Sequence, residues 1–372
     1  MYHKEDMLAS NREIEYDFLR IAACFFVIVL HTSAHYVNLM DSVPASFFTL
    51  CDWQVGNLYE TVSRCSVPLF VMISGAFMLD SSRELTRKKI FVKAKKIVIL
   101  YFFWAAIYFV FTQVGKMLTG GGAVVELQQF FEYFLYGSYH MWYLCLIFSM
   151  YLLTPLLRVI VSDRRNEQYF LVLSFIVTFI VPLIELVPYQ PLIAYVDKFD
   201  FSLVTGYTFY YVAGHYMRRY YGNRKIKKRN ATCAICLLIF CFILVAWGTW
   251  ALNLDCEERN GLLYGNLFIT TMVESMMVFY LTIYFGQRMK SRNIAINSRM
   301  YQMITSISNL TMGIYLIHVL GLEGMQIVLD YYSWPVSSII IVPAVSIICF
   351  LLCVLICKLM KKNKATDFLI KI

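Results

Sequence analysis

The chain has 372 residues, of which 59% are hydrophobic and only 15% are charged, and its mean hydropathy is +0.61. Soluble domains are about 45–50% apolar and about 25% charged, so this composition excludes a soluble protein, a disordered chain and a disulfide scaffold. The net charge of +9 does not by itself indicate nucleic acid, since Lys and Arg accumulate in the cytoplasmic loops of membrane proteins.

Ten apolar segments follow one another along the chain. Each is predicted to be a helix, because a segment in lipid must satisfy its own backbone hydrogen bonds. The segment 201–217 is the least typical, since it is short and rich in tyrosine. The sequence therefore predicts an all-α polytopic membrane protein with an N-terminal arm (1–16), a ten-helix membrane domain (17–357) and a basic tail (358–372). The predicted spans are 17–37, 57–79, 97–115, 140–160, 168–188, 201–217, 231–252, 265–286, 303–329 and 335–357.

The positions of the basic residues predict the orientation of these spans. In alternate loops, 28 of the 33 Lys and Arg residues fall on one side, and only Lys116, Lys198 and Arg259 fall on the other. The positive-inside rule makes the basic side cytoplasmic. Ten spans then place both termini in the cytoplasm of a multi-pass protein of the cell membrane. The two remaining basic residues, Arg20 and Arg64, lie inside spans.

The first span carries four ionisable side chains along one face. A helix turns about 100° and rises about 1.5 Å per residue, so Arg20 and His31 point within about 20° of each other and lie about 16 Å apart along the axis. Asp17 and His35 fall within about 40° of the same stripe. Ionisable groups inside a membrane are costly, so the stripe predicts the wall of a functional cavity. The alternative is that Asp17 and Arg20 are interfacial anchors and that the histidines are satisfied core residues.

The second span contains Arg64 in its outer half, at about the depth of His31. A guanidinium stays charged and therefore needs a partner inside a membrane. Glu274, near the middle of the eighth span, is one candidate partner, and a purely structural ion pair is the alternative to a catalytic role. Pro68 is expected to kink this span, and Ser74-Gly75 would let another helix approach closely.

Two further spans carry polar residues in their outer halves. Trp142 and Tyr143 could belong to an ordinary aromatic belt, with His140 an incidental neighbour. His318 lies in the outer half of the ninth span and joins His31 and Arg64 as a candidate catalytic residue. The candidate substrate-binding residues are His35, His140, Trp142, Tyr143, Tyr315, Glu274 and Glu323.

The basic stretch RELTRKKIFVKAKK at 83–96 has two interpretations. It either sets the topology and attracts anionic lipid, or it binds a phosphate-bearing cosubstrate. The stretch 218–229 also has seven basic residues and the same ambiguity. The candidate cosubstrate-binding residues are Asp17, Arg20, Arg87, Lys88, Lys89, Lys93 and Lys96.

The eleven cysteines give no reason to expect a metal site. Most of them lie within spans, where Cys behaves as a small apolar residue. Cys51 and Cys256 fall in outward loops and are free to pair, although nothing in their spacing requires it.

Several of these blocks resemble the membrane-bound acyltransferase 3 family. The resemblance rests on D-x-x-R followed by His eleven residues after the Arg (Asp17, Arg20, His31), and on three longer blocks. It extends over most of the chain, and it is strongest to the stand-alone O-acetyltransferases of bacterial surface polysaccharides. The longer blocks are RCSVPLFVMISGAFML at 64–79, HMWYLCLIFSMYLLTPLL at 140–157 and SNLTMGIYLIHVLG at 308–321.

The resemblance implies a reaction and a cosubstrate. Family members take an acyl group, often acetyl, from cytoplasmic acyl-CoA and pass it to a hydroxyl of an extracytoplasmic or lipid-linked glycan. Activity would then depend on His31, with Arg20 on the same helical face below it, and acetyl-CoA would be the cosubstrate. The stretch after the second span is mostly Lys where some relatives are rich in Arg, so individual CoA contacts do not transfer.

The residues fit this chemistry. Acyl transfer to an alcohol needs a base for the hydroxyl proton and a positive group near the developing oxyanion. His31 is predicted to be that base, or else a transient acyl carrier, with Arg64 or His318 stabilising charge. Arg20 and the basic stretch would hold the phosphates of CoA near the inner mouth.

Two other classes of function remain open at this point. A transporter of a glycan precursor or an amino acid would use the same polar stripe as a translocation path. A sensor or scaffold would not need titratable residues at matching depths on several spans. The expected partners are membrane lipids, acyl-CoA and a glycan or lipid-linked acceptor, not nucleic acid, and the oligomeric state is left open.

Overall fold

The computed structural model describes residues 12–38, 47–118, 127–184, 186–187, 189–196, 198–199, 204–254, 259–292, 298–332 and 337–371. These residues contain no strand, so the all-α prediction is confirmed. They also contain a π-helical turn (Ile176–Ile180) and a 3₁₀ turn (Leu262–Tyr264). The helices are α1 (Ile14–Asn38), α2 (Phe47–Ser63), α3 (Ser66–Met78), α4 (Arg87–Leu118), α5 (Leu127–Tyr136), α6 (Trp142–Ile160), α7 (Arg164–Phe175), α8 (Val181–Ile184), α9 (Gln190–Val196), α10 (Thr208–Tyr221), α11 (Lys228–Leu252), α12 (Ile269–Ser291), α13 (Ser298–Ser308), α14 (Thr311–Tyr332), α15 (Ser338–Met360) and α16 (Lys364–Phe368).

Within the described ranges, nine helical stretches are long and apolar enough to cross a membrane, which confirms a polytopic membrane protein. Large apolar side chains such as Leu156, Phe240 and Leu355 remain exposed on them, as expected of surfaces that face lipid. The stretches match nine of the ten predicted spans. They are 14–34, 50–78, 87–117, 142–160, 164–184, 228–252, 262–291, 311–329 and 338–360.

The remaining predicted span, 201–217, corresponds to α10, which has only 14 residues. It begins beside the start of α6, where the Tyr207 and Trp142 rings are 5.7 Å apart, and it ends where Arg218 meets Asp80, just beyond α3. Nine of its residues are buried. Because neighbouring helices enclose α10, it does not need the length or the apolar surface of a helix that faces lipid.

The chain that leads into α10 is irregular, and side chains of the preceding helical stretch satisfy its backbone. Ser174 donates to the carbonyl of Val204 at 2.5 Å, and the N–H of Gly206 donates to Oγ1 of Thr178 at 3.0 Å. Ser174 and Thr178 lie at either side of the start of the π-helical turn. Non-helical backbone at membrane depth is tolerated when protein surrounds it in this way.

The second predicted span is broken between α2 and α3, at Arg64 and Cys65. Pro68 explains the break, because proline has no N–H to donate to the carbonyl four residues earlier, which belongs to Arg64. The helix resumes with the bond from the N–H of Leu69 to the carbonyl of Cys65 at 2.9 Å. The break places the Arg64 side chain at the junction of two helices.

Two glycines bring α3 and α10 into backbone contact. A Cβ atom added at Gly75 would lie 1.8 Å from the carbonyl oxygen of Tyr211, and one added at Gly214 would lie 2.0 Å from that of Met72. The predicted close approach at Gly75 therefore involves α10, and a second glycine makes it reciprocal. This crossing sets the position of α3, whose opposite face lines the cavity described below.

Arginine side chains tie helices together at one end of the bundle, which we call the basic end. Arg158 donates to the carbonyls of Met78 and Asp80 at 2.9 and 2.6 Å, and Arg218 donates to the Asp80 carboxylate at 2.8 Å. Although partial burial acts in the opposite direction, the hydrogen bonds from Arg218 and Ser82 lower the pKa of Asp80 to about 2. Asp80 is therefore ionised at neutral pH and holds α3 to α10.

Candidate functional site

Three histidines from three distant parts of the sequence meet at the end of the bundle opposite the basic end. The ring centroids of His31 and His318 are 5.3 Å apart, and those of His318 and His140 are 5.2 Å apart. We call this row the histidine cluster. The edge of Tyr139 meets His31 at 5.2 Å, and Tyr139 is 59% exposed, so the cluster lies close to the surface.

The hydrogen bonds of His318 fix the role of its two ring nitrogens. Its Nδ1 lies 2.6 Å from the carbonyl oxygen of Tyr315, and a carbonyl only accepts, so Nδ1 carries a proton. In the neutral imidazole, Nε2 then presents a lone pair. The residue is fully buried, and this Nε2 has no hydrogen-bond partner among the described residues. It is therefore a proton acceptor enclosed next to His31.

Tyrosines hold the cluster in place. Tyr315 donates its hydroxyl to the carbonyl of His140, which joins α14 to the start of α6. Tyr108 donates to the carbonyl of Leu316 at 2.8 Å, and its ring lies 5.0 Å from that of His140. The chain reaches His140 through Gly137, whose φ of 65° lies in the left-handed region that favours glycine.

A cavity of about 270 Å³ contains Arg20 and extends to two tyrosines beneath the histidine cluster. Tyr143 and Tyr315 line it, their rings are 5.3 Å apart, and the Tyr315 ring lies 5.6 Å from that of His318. The predicted stripe of the first span therefore has Arg20 in a cavity and His31 in the cluster beyond it. The remaining lining residues are Phe70, Ile73, Ser74, Phe77, Met78, Tyr151, Ser308, Asn309, Thr311, Met312 and Lys371.

Asp17 holds Arg20 in this cavity. Its carboxylate accepts from Arg20 at 3.1 Å, from Ser308 at 2.6 Å and from Arg12 at 2.5 Å. Arg20 also donates to Ser308 at 3.1 Å. Asp17 is buried and its acceptor positions are occupied, so the structure places it as the counterion of two arginines. Arg20 keeps the remaining donors of its guanidinium for the cavity.

Five basic residues of the stretch 83–96 are predicted to bind the cosubstrate, and two of them lie near residues that bound the cavity on the side of Arg20. Lys93 lies over the ring of Tyr151, 5.9 Å from its centroid, and Lys96 lies over Phe368 at 4.4 Å. Three others, Arg87, Lys88 and Lys89, are exposed, and the Lys89 ammonium donates to the carbonyl of Glu84 at 3.2 Å.

Arg64 has a carboxylate partner, and it is Glu60 rather than Glu274. Glu60, one helical turn earlier, is fully buried and pairs with Arg64 through one oxygen and with Arg259 through the other, at 3.0 Å. Both guanidiniums lie over the ring of Tyr264, at 4.6 and 5.4 Å. Glu274 interacts electrostatically with Arg64, but one of its oxygens has no hydrogen-bond partner in the described part of the chain.

The other predicted residues are placed as follows. Trp142 turns toward Tyr207 at the surface and not toward the histidine cluster. Glu323 is half-buried and interacts electrostatically with Tyr108 and Tyr139 beside the cluster. The side chain of His35 lies outside the described residues, and so does Cys256, which leaves its pairing with Cys51 untested.

Sequence reasoning missed two members of the site. Glu60 was the easier of the two to predict, because a glutamate four residues before an arginine forms a standard helical ion pair with it. Arg259 was assigned only as a loop residue, and no local pattern links it to Glu60, about 200 positions earlier. Tertiary packing alone brings the two together.

The comparisons with known proteins bear on the whole chain. No curated protein and no solved structure matches it. A family model for an acyltransferase domain matches residues 13–358, which include eight of the nine spanning stretches, all but the last two residues of the ninth, and every residue of the histidine cluster. The chain therefore belongs to the acyltransferase 3 family and is a membrane acyltransferase.

Proposed function

We propose that this protein is an O-acyltransferase that moves an acyl group, in the first instance acetyl, from cytoplasmic acyl-CoA to a hydroxyl of an extracytoplasmic or lipid-linked glycan. One observation carries the proposal: the cavity that contains Arg20 is lined by Tyr315, whose ring lies 5.6 Å from that of His318 in the histidine cluster. A thioester arm in this cavity would bring its carbonyl to the cluster, while the phosphates remain near the basic residues.

The proposed reaction needs one proton acceptor and one positively charged group that stabilises the developing oxyanion. The acceptor hydroxyl oxygen attacks the thioester carbonyl while His31 takes the hydroxyl proton; the C–S bond then breaks, and His31 gives that proton to the sulfur, so that CoA leaves as its thiol and the imidazole is neutral again. His31 is partly accessible, whereas His140 and His318 are buried. His31 is therefore the histidine that an acceptor reaches directly. Transient acylation of His31 is the alternative to general-base catalysis.

His318 is proposed to assist His31 as a proton acceptor. This role differs from the one predicted from the sequence, in which either Arg64 or His318 stabilises the developing charge. The lone pair on its Nε2 suits a group that accepts an N–H from His31 and so stabilises the imidazolium. This arrangement resembles the way an orienting acceptor supports the base in a catalytic triad.

Arg64 is proposed to supply positive charge near the reaction. It interacts electrostatically with His31, and its Nε has no hydrogen-bond partner among the described residues. A fixed positive charge near His31 stabilises an oxyanion as it forms and disfavours a second positive charge on the histidine. Glu60 and Tyr264 hold the guanidinium in place.

The test is transfer of label from [¹⁴C]acetyl-CoA to the lipid and glycan fractions of membranes that contain the protein. His31→Phe, which keeps a ring of similar size, is expected to reduce the label at least a hundredfold while the variant still elutes as a folded protein. The exposed lysine variant Lys364→Ala serves as the control. Substrate flux without CoA-dependent label would favour the transporter, whereas label that persists in His31→Phe would refute the assigned role.

A further inference from the structure

The chain beyond the last span returns to the bundle. After α15 ends at Met360, α16 and residues 369–371 fold back against α4 and α14. The indole N–H of Trp104 donates to the carbonyl of Leu369 at 3.0 Å, and Ile370 is 1% exposed. We call residues 364–371 the return segment.

The seat for the return segment depends on a glycine. A Cβ atom added at Gly313 of α14 would lie 2.7 Å from the Cβ of Ile370 and 2.8 Å from the sulfur of Cys357. Since contacts under 3.0 Å essentially never occur, Ile370 occupies space that only a glycine leaves open. The segment is thus fixed by a backbone hydrogen bond and by a fitted apolar side chain, and it does not merely rest on the surface.

This docking places a lysine in the wall of the cavity. Lys371 lines the same cavity as Arg20, and Lys96 lies over Phe368 of the return segment. Lys96 interacts electrostatically with Lys93, Lys371 and Asp367. Lys96 therefore lies close to two other ammonium groups, and the return segment supplies one carboxylate, Asp367, which pairs with Lys371.

Such an arrangement favours a particular kind of ligand. Like charges held close together repel, and a single carboxylate compensates only one of the three. An anion that carries several charges, such as a diphosphate, offsets the repulsion, and lysines bind phosphate as point charges without strict geometry. The cavity beside Lys371 is lined by aromatic residues such as Tyr143 and Tyr151, which suits an uncharged arm attached to that anion.

We propose that the return segment is a wall of the donor cavity and that Lys371, together with Lys93 and Lys96, binds the phosphates of the acyl donor. The inference rests on the proposed function, since it takes CoA as the donor. It adds a binding residue and a docked segment to the donor site, and both lie outside the basic stretch 83–96.

The test measures equilibrium binding of CoA to the purified full chain in nanodiscs of zwitterionic lipid. Lys371→Ala is expected to weaken CoA binding about tenfold, the loss typical of one charge-assisted contact. Lys371→Arg is expected to retain most of the affinity. Lys364→Ala, which removes an exposed lysine from the same segment, is the matched control and is expected to change affinity less than twofold.

Pantetheine distinguishes phosphate binding from a change in cavity shape. Pantetheine lacks every phosphate, so the wild type and Lys371→Ala should bind it equally well. A distorted cavity would instead weaken the binding of both CoA and pantetheine. Ile370→Asp buries a charge and should release the segment. Adding Lys371→Ala to Ile370→Asp should then cause no further loss, which is the signature of coupled residues.

The outcomes separate the two proposals. CoA binding that is equally strong in Lys371→Ala and Lys364→Ala overturns this inference and leaves the proposed function intact. A wild type that binds no CoA overturns both. If phosphatidylglycerol in the nanodisc displaces CoA from the wild type and abolishes the difference between the variants, the lysines serve lipid headgroups and the inference is wrong.

Discussion

The crossing of α3 and α10 offers the most quantitative prediction. In Gly75→Ala, the new Cβ would lie 1.8 Å from the carbonyl oxygen of Tyr211, so the two backbones must separate by at least about 1.2 Å to reach 3.0 Å. A carbonyl oxygen cannot rotate away as a side chain does. Overpacking of a well-packed core costs about 1–3 kcal/mol, and we expect the upper end of this range.

A loss of about 3 kcal/mol would lower the unfolding midpoint Tm of a chain of this length by about 4 °C, if unfolding entropy follows the usual value per residue. Thermal unfolding of the purified protein in detergent, followed by a thiol-reactive dye, measures the shift. CoA affinity is expected to fall as well, because Phe70, Ile73 and Phe77 of α3 line the cavity.

Gly324→Ala is the matched control for Gly75→Ala. Gly324 also lies within a helix, α14, but a Cβ added there meets nothing within 4 Å. Alanine is a better helix former than glycine by about 0.5–1 kcal/mol, so this variant should be unchanged or slightly more stable. A Tm for Gly75→Ala within 1 °C of that for Gly324→Ala would refute the argument that backbone contact sets the spacing of α3 and α10.

Three further predictions concern single side chains. His318→Asn keeps a donor for the carbonyl of Tyr315 but lacks the lone pair at the Nε2 position, so we expect kcat to fall about a hundredfold. His318→Gln keeps an acceptor at that position and should retain more activity. Equal losses of activity in the two variants, measured by labelling, would contradict the role assigned to His318. Glu60→Gln leaves two guanidiniums without a carboxylate and should destabilise the fold by about 3–5 kcal/mol. Glu84→Gln, on the exposed loop, should leave the Tm unchanged. Similar Tm values for the two variants would contradict the ion pair that Arg64 and Arg259 share with Glu60. Asp80→Asn removes a carboxylate whose pKa is lowered to about 2, so the stabilisation by this carboxylate is complete above its unfolded-state pKa near 4 and is lost as the pH falls toward 2. The difference in Tm between this variant and wild type should therefore be constant from pH 7 to 5 and should narrow below pH 4. A difference in Tm that widens as the pH falls would contradict this pH dependence.

Nine of the ten spans could be predicted from the sequence because hydropathy in a window is a local property. A helix that faces lipid must be apolar and about 20 residues long, and these nine are. The short helix α10 has neither feature, since other helices surround it and its buried tyrosines contact protein rather than lipid. Only the alternation of basic loops required a span at that point in the chain.

The site could be predicted in parts. Helical geometry places Arg20 and His31 on one stripe, and the structure gives Arg20 a cavity and His31 two aromatic neighbours. The contacts of His31 with Tyr139 and His318 join residues more than a hundred positions apart, so they depend on packing that no local pattern encodes. The partner of Arg64 was within reach, because Glu60 stands four residues before it.

The shortness of α10 has a consequence for the depth at which its two ends lie. Fourteen residues rise about 21 Å, whereas the hydrocarbon core of a bilayer is about 30 Å thick. α10 is therefore about a third shorter than the layer that the lipid-facing helices cross. Its ends can lie inside that depth because protein satisfies them: Ser174 and Thr178 bond the irregular backbone before it, and Asp80 pairs with Arg218 near its other end.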